Sequence, residues 1–165
     1  MLTHSTLDTP AGPLTIVLSE AGAVRAAGFT AQVQDLLPLI HPALVEETRP
    51  AAGAGPVGDK VRSYFDGDLT AIDDVPVEAR TGGEFMAHAW QVMREIKPGA
   101  PITYSDYARL AGRPAAIRAA AAACARNPIA FFVPCHRVLR LDGTLGGYRW
   151  GLPVKTWLLE HERAS

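Results

Sequence analysis

The sequence predicts a mixed α/β (α+β) fold made of two small domains, and three observations support this prediction. Short runs near the N terminus alternate polar and apolar residues, as half-buried strands do. Apolar residues further along repeat at helical spacing. Charge divides the chain as well: residues 1–81 hold 5 Lys and Arg against 11 Asp and Glu, whereas residues 82–165 hold 11 against 6. We therefore predict an α/β domain over residues 1–79 and a second, mainly helical domain over residues 80–165.

The first domain is predicted to contain a small sheet followed by two helices. Residues 2–8, 14–18 and 24–29 have the pattern of strands, and a turn rich in Pro and Gly joins the first two. Residues 33–40 and 57–65 have helical periodicity, and an Asp-Gly-Asp sequence ends the second helix. No residues in this half have the spacing of a catalytic site.

The second domain is predicted to hold three successive helices before the cysteine-containing segment. Apolar residues form one face of the first helix, which Pro98 and Gly99 end; these residues are Phe85, Ala89, Val92, Met93 and Ile96. Thr103 can cap the second helix together with Asp106, and Gly112 closes it. Pro114 is expected to open the third helix, which is almost entirely alanine.

Composition restricts the classes of protein that fit. The chain has 165 residues, is 48% hydrophobic, and contains neither a bilayer-spanning apolar run nor a signal-peptide pattern, so we expect a soluble cytoplasmic protein. Cys124 and Cys135 fall on a predicted helix and a predicted strand, which favours free thiols over a structural disulfide. The five histidines are scattered without ligand spacing, so we predict no metal.

The most informative segment is the apolar run that ends in Pro134-Cys135-His136-Arg137. A thiol that follows a buried strand and a proline, and precedes an imidazole and a guanidinium, is expected to have a lowered pKa and to act as a nucleophile. The alternative is that Cys135 is a small core residue, as free cysteines often are.

The wider context of this motif is more specific. Asn127-Pro128 begins eight residues before Cys135, and Glu162 follows it by 27 residues. Together these residues resemble the active-site signature of the O6-alkylguanine-DNA alkyltransferases, also called methylated-DNA protein-cysteine methyltransferases. The resemblance implies a ribonuclease-H-like N-terminal domain and a winged helix-turn-helix-like C-terminal domain.

The resemblance also implies the reaction. The alkyl group of O6-alkylguanine in double-stranded DNA would pass to Cys135 in a single turnover that inactivates the protein, and O4-alkylthymine is a second candidate substrate. No cofactor would be needed, and we expect a monomer that binds the minor groove and flips the alkylated base. His136 and Glu162 would activate the thiol, and Tyr104 would assist the leaving base. Asn127, Pro134 and Arg137 would be structural.

The same resemblance assigns residues to DNA and to the base. Arg118 lies seventeen residues before Cys135, the interval of the family arginine that replaces the extruded base. The other DNA-facing residues implied are Thr103, Ala115, Ala116, Ala119 and Ala121. The alternatives are that the alanine helix is buried and that Arg118 reaches a salt bridge.

A glycine-rich loop at residues 142–151 is expected to form a lid over the base. The pocket residues implied by the resemblance are Val138, Tyr148, Arg149, Trp150 and Lys155. Many relatives have Ser-Gly-Gly after the tyrosine, whereas this chain has Arg-Trp-Gly, and the alanine-rich helix has Ala-Ala-Ala where Val-Gly-Gly is usual.

Two other classes of function share parts of this pattern. A cysteine hydrolase would use the same thiol and histidine, but no further hydrolase partners are evident in the sequence. A non-catalytic sensor of alkylated bases would lack the reactive cysteine, which is present here.

Overall fold

The computed structural model describes residues 1–163. Its strands are β1 (Leu2–Thr9), β2 (Gly12–Leu18), β3 (Val24–Gly28), β4 (Thr48–Pro50), β5 (Ile102–Thr103) and β6 (Val138–Leu139). Its helices are α1 (Gly55–Phe65), α2 (Glu84–Met93), α3 (Tyr104–Leu110), α4 (Ile117–Ala125) and α5 (Leu152–Arg163). None of these helices is long and apolar enough to cross a membrane.

The chain forms two compact units, and each is described separately. The first contains Met1–Arg80 together with Pro128–Phe132, and the second contains Thr81–Asn127 and resumes at Val133. The division proposed from the sequence, between residues 79 and 80, did not anticipate that five residues from the second half belong with the first unit.

The first unit is built on a four-stranded sheet with the order β3-β2-β1-β4. β1 and β2 form an antiparallel hairpin, β3 pairs with β2 and is also antiparallel to it, and β4 runs parallel to β1. Alternation places Leu7, Leu14 and Ile16 on one face of the sheet, where all three are buried. These strands confirm the three predicted from the sequence, and α1 confirms the helix predicted at residues 57–65.

The helix predicted at residues 33–40 is wrong. The segment forms two separate 3-10 turns, Val33–Asp35 and Leu37–Leu39. Pro38 lies in the middle of the predicted helix, where it lacks an N–H to donate and its ring crowds the preceding turn. The apolar periodicity was therefore correct as a burial pattern and incorrect as a helix.

Residues 128–132 form no continuous strand, contrary to the prediction. Ala27 donates to Pro128 O (3.0 Å), and Ala130 donates back to Ala27 O (3.1 Å), which attaches the segment to β3. Phe131 has a backbone φ of 77°, a conformation that bulky residues rarely adopt. Its ring packs edge-on against Tyr64 at 4.7 Å between centroids and stacks on Phe65 at 5.6 Å.

The second unit is a set of helices with a small parallel pair of strands, β5 and β6. Two buried side chains join the helices: Tyr107 of α3 donates to Ala89 O of α2 (2.5 Å), and Trp90 of α2 donates to Ala123 O of α4 (2.9 Å). Thr103 and Asp106 form the predicted capping box at the start of α3.

Two predicted helix boundaries in this unit are wrong. α2 ends at Met93, five residues before Pro98, and its continuation to Ile96 is a series of turns. α4 begins at Ile117 and not at Pro114, because Arg113 O accepts from Ala116 N (2.9 Å) and closes a separate turn first.

Candidate active site

Cys135 begins a 3-10 turn, Cys135–Arg137, that follows buried Pro134. Only 9% of the cysteine is exposed. Asn127 donates from Nδ2 to Val133 O (2.7 Å), and its side chain also hydrogen-bonds to the thiol. The turn and the amide therefore fix the position of the sulfur.

The thiol does not have the lowered pKa that the sequence suggested. Burial raises the pKa of Cys135, whereas the hydrogen bond from Asn127 and the charge of Lys155 oppose that rise. The neighbouring imidazole supplies no positive charge, since burial lowers the pKa of His136 and keeps it neutral. Ionisation of this thiol consequently requires a base that removes the proton.

His136 and Arg137 both bind the same carboxylate, although 25 residues separate Arg137 from it. His136 Nε2 lies 2.8 Å from Glu162 Oε2, and Arg137 donates from Nε to Oε1 and from Nη2 to Oε2, each at 2.9 Å. Arg137 also donates from Nη1 to Ile96 O (2.7 Å). The side chains of His136, Arg137 and Glu162 are all buried, so these hydrogen bonds are shielded from solvent.

The charge of Glu162 determines the tautomer of the His136 imidazole. Burial raises the pKa of Glu162, but His136 and the Arg137 guanidinium outweigh it and hold that pKa well below its usual range. A carboxylate can only accept, so His136 Nε2 carries the hydrogen and Nδ1 presents a lone pair. Nδ1 is buried and accepts from no atom of residues 1–163. The imidazole is thus a neutral base with one acceptor nitrogen available.

Lys155 is a second buried cation, and it has no carboxylate partner among the described residues. Its Nζ donates to Val138 O (3.0 Å), to Leu145 O and to Gly147 O (3.3 Å). Burial lowers the pKa of Lys155, and the nearby thiols oppose this shift. The lysine binds the loop at residues 142–151, named here the active-site loop, to the buried Val138 of β6.

Tyr104 and the active-site loop lie side by side. Tyr104 is half-buried. Burial makes the largest contribution to raising the pKa of Tyr104, and the charges of Cys124 and Cys135 raise it further. The phenol therefore stays protonated. Gly146 has φ 69°, and a methyl group added there would lie 3.3 Å from the Tyr104 hydroxyl oxygen. Tyr148 of the loop is half-buried.

The residues expected to face DNA lie on α4, directly before it, or at the start of α3, and none of them is fully buried. Arg118 is exposed and makes no ion pair or hydrogen bond within residues 1–163, so the salt bridge considered above does not form. Ala120 and Ala123 are buried in the unit, whereas Ala119 and Ala121 are half-exposed. Ala115, which is exposed, and Ala116 precede the helix, and half-buried Thr103 caps α3.

The Arg-Trp-Gly segment of the active-site loop makes a contact that was not predicted from the sequence. Arg149 is exposed, and its Nη2 donates to Ala125 O at the end of α4 (2.7 Å), while Trp150 is half-exposed. The pairing of Arg137 with Glu162 was likewise missed, because an arginine beside a catalytic motif carries no signal of its partner. No group of three His, Cys, Asp or Glu side chains within residues 1–163 is placed to hold a metal.

Comparisons with known proteins extend over nearly the whole chain. Residues 84–164 match the family model described as "6-O-methylguanine DNA methyltransferase, DNA binding domain". A methylated-DNA–protein-cysteine methyltransferase of Shigella flexneri is 37% identical over 98% of this chain and 95% of its own length. The crystal structure of the O6-methylguanine methyltransferase of Mycobacterium tuberculosis superposes with a TM-score of 0.80 at 32% identity, covering 99% of this chain and 94% of that one. A structure of the same mycobacterial protein in complex with DNA gives a TM-score of 0.80, covering 98% and 93%.

The fold and these matches first define a class, the transferases that move a methyl group from methylated DNA to a cysteine of a protein. More narrowly, the chain belongs to the methylated-DNA–protein-cysteine methyltransferase family. Its function is DNA repair by direct transfer of alkyl groups from O6-alkylguanine.

Proposed function

We propose that Cys135 accepts the alkyl group and that His136 and Glu162 activate it. The observation that carries this assignment is the buried acceptor nitrogen of His136, which follows the thiol directly in a turn whose imidazole is fixed by Glu162. A buried polar atom without a protein partner is a suitable place for a bridging water molecule. The thiol proton passes through that water to Nδ1, and Glu162 stabilises the resulting imidazolium.

The transfer itself is an in-line displacement at the alkyl carbon. The thiolate forms an S–C bond as the O6–C bond breaks, and the electron pair remains on the guanine oxygen. Tyr104, which stays protonated at neutral pH, donates a hydrogen bond to the departing base and offsets its developing charge. The product thioether has no carbonyl for water to attack, so each molecule reacts once and needs no cofactor.

The substrate base reaches this buried site by leaving the duplex. Extrusion of a nucleotide costs a few kcal/mol, which a wedge residue and a pocket must offset. Arg118 is the proposed wedge, since it is exposed and makes no ion pair or hydrogen bond within residues 1–163. The half-exposed alanines beside it allow α4 to approach the floor of the minor groove closely. The walls of the base pocket are assigned to Val138, Tyr148, Arg149, Trp150 and Lys155. A monomer in the reducing cytoplasm suffices for this chemistry.

Intact-mass measurement tests the proposal. The protein is incubated with a duplex that contains one O6-methylguanine, beside Cys135→Ser, Cys124→Ser and an unmodified duplex. We expect wild type and Cys124→Ser to gain one methyl group, located on the peptide that contains Cys135, and Cys135→Ser to gain none. Lesion binding without mass gain would indicate a sensor, and methylation of Cys124 would refute the assignment.

The role of Arg118 has a separate test. Arg118→Ala should slow transfer from the duplex by at least about tenfold, the effect of losing roughly 1.4 kcal/mol, because extrusion loses its wedge. Transfer from the free O6-methylguanine base should be unchanged, since no extrusion is needed. Arg163→Ala, at an exposed arginine on α5, is the matched control. An equal loss on both substrates would show that Arg118 acts on the pocket instead.

A further inference from the structure

At the C-terminal end of α4, an arginine from a distant part of the sequence binds one of the last carbonyls of the helix. The last carbonyls of a helix lack intrahelical donors and favour a cation beside them. α4 has no basic residue in its last turn. Arg149, 24 residues after Ala125, donates from Nη2 to the Ala125 carbonyl at 2.7 Å.

The active-site loop is consequently held by two cations. Lys155 binds its earlier part, through Leu145 O and Gly147 O. Arg149 binds its later part to α4, and Gly151 N donates to Tyr148 O (3.0 Å) to close a turn around Arg149. Tyr148 lies between these two points of attachment.

We propose that Arg149 is a positioning residue that fastens the active-site loop to the end of α4 and so keeps Tyr148 in place for the substrate base. This inference rests on the proposed function, in which Tyr148 is a wall of the base pocket. The Arg149 side chain thereby has a task beyond that of a pocket wall.

The attachment also connects the two parts of the protein that meet the substrate. α4 carries Arg118, and the active-site loop carries Tyr148, so the bond from Arg149 to Ala125 links the DNA-facing helix to the lid. Arg149 acts on the thiol as well: burial raises the pKa of Cys135, and the charge of Arg149 is among those that oppose the rise.

Two variants of Arg149 test the importance of its hydrogen bond to Ala125 O and of its positive charge. Arg149→Met removes both the donor and the charge at similar length, whereas Arg149→Lys keeps the charge and one donor that can reach a carbonyl. Arg126→Met is the matched control, because it removes an exposed cation at the same helix end that makes no bond to Ala125 O. Transfer rates are measured on a duplex containing O6-methylguanine and on the free O6-methylguanine base, between pH 6 and pH 9.

Arg149→Met should lose about tenfold in rate on both substrates, the size expected for one hydrogen bond to a charged group. Its pH–rate profile should rise at higher pH than that of wild type, because the thiol loses a stabilising charge. Arg149→Lys should recover most of the rate and the wild-type profile, and Arg126→Met should match wild type on the free base.

Other results would overturn the proposal. A loss confined to the duplex would make Arg149 a phosphate contact, and a wild-type rate in Arg149→Met would show that the bond to α4 is dispensable. Arg149→Lys performing no better than Arg149→Met would exclude a role for the cation. In each case wild type would still be methylated at Cys135, whereas failure of wild type to react would refute the proposed function and this inference together.

Discussion

Glu162 is bonded to two buried side chains, and replacing its charge affects both. Glu162→Gln keeps the size of the side chain but leaves the buried Arg137 guanidinium without an anion. Breaking a buried ion pair from one side costs about 3–5 kcal/mol, so we expect a loss of that order in the free energy of unfolding, measured with urea. Transfer should also slow, because an amide holds His136 less firmly in its reactive tautomer.

A neighbouring glutamate provides the control for this effect. Glu160→Gln changes an exposed residue on the same helix and should leave both stability and transfer rate near wild type. If Glu162→Gln were as stable as wild type, the ion pair with Arg137 would contribute nothing to the fold.

Acidification should destabilise the protein through His136 and then through Glu162. The folded pKa of His136 lies below its ordinary value of 6.5, and that of Glu162 lies below its ordinary value of 4.5. The unfolded chain therefore binds more protons at each step, and stability falls as pH drops below about 6.5 and falls again below about 4.5. Urea unfolding at a series of pH values measures this slope.

The variant His136→Gln distinguishes the loss of stability caused by protonation of His136 from the loss caused by protonation of Glu162. Glutamine can donate to Glu162 from the same region of the site but does not titrate. The variant should show a flatter dependence of the unfolding free energy between pH 7 and pH 5. An unchanged slope would mean that another group titrates in this range.

At single residues the sequence was informative about chemistry and uninformative about contacts. Cys135 stands out through the Pro-Cys-His-Arg motif, whereas the roles of His136 and Glu162 were expected only from the family resemblance. The environment of the thiol could not be predicted, since burial and the bonds of Asn127 arise only when residues 127 and 133–135 are brought together. The carbonyl partners of Lys155 are equally invisible in sequence, because every residue type offers the same acceptor.

Among the secondary-structure elements, α3 depends on a local device that the sequence shows directly. Thr103 accepts from Asp106 N (3.1 Å), and the Asp106 side chain accepts from Thr103 N (3.4 Å). Thr103→Ala should lower the free energy of unfolding by about 1 kcal/mol through loss of this cap, and Thr103→Ser should retain most of it. Urea denaturation of the two variants decides the matter, and equal stability would show that the cap is replaced by solvent.

Elements in which a local backbone constraint competes with the apolar pattern were predicted less well than α3. The segment at residues 33–40 has the apolar spacing of a helix, but Pro38 divides it into two turns. The start of α4 moved from Pro114 to Ile117 because the preceding turn is closed by its own main-chain bond. In both cases a local backbone constraint decided the outcome over the residue pattern.

For the molecule as a whole, the path of the chain matters more than the boundary between its two halves. The chain leaves the second unit after Asn127, contributes Pro128–Phe132 to the first unit, and returns at Val133, two residues before Cys135. A sequence read as two consecutive domains cannot show this excursion. Cys135 follows Phe131 by only four residues, so its position is connected through the backbone to the packing around Phe131.

Phe131→Ala is the change that tests this dependence. The left-handed backbone of Phe131 is compensated by ring contacts with Tyr64, Phe65 and Phe29, and alanine keeps the backbone cost while losing those contacts. Truncation of a buried phenylalanine costs about 3–5 kcal/mol, so the unfolding free energy should fall by that amount. Phe85→Ala, at a half-exposed phenylalanine, should cost less. Transfer measured where Phe131→Ala is still folded should also be slower, because a loosened segment places Cys135 less firmly, and a wild-type rate there would show that the turn at Cys135–Arg137 is held by the second unit alone.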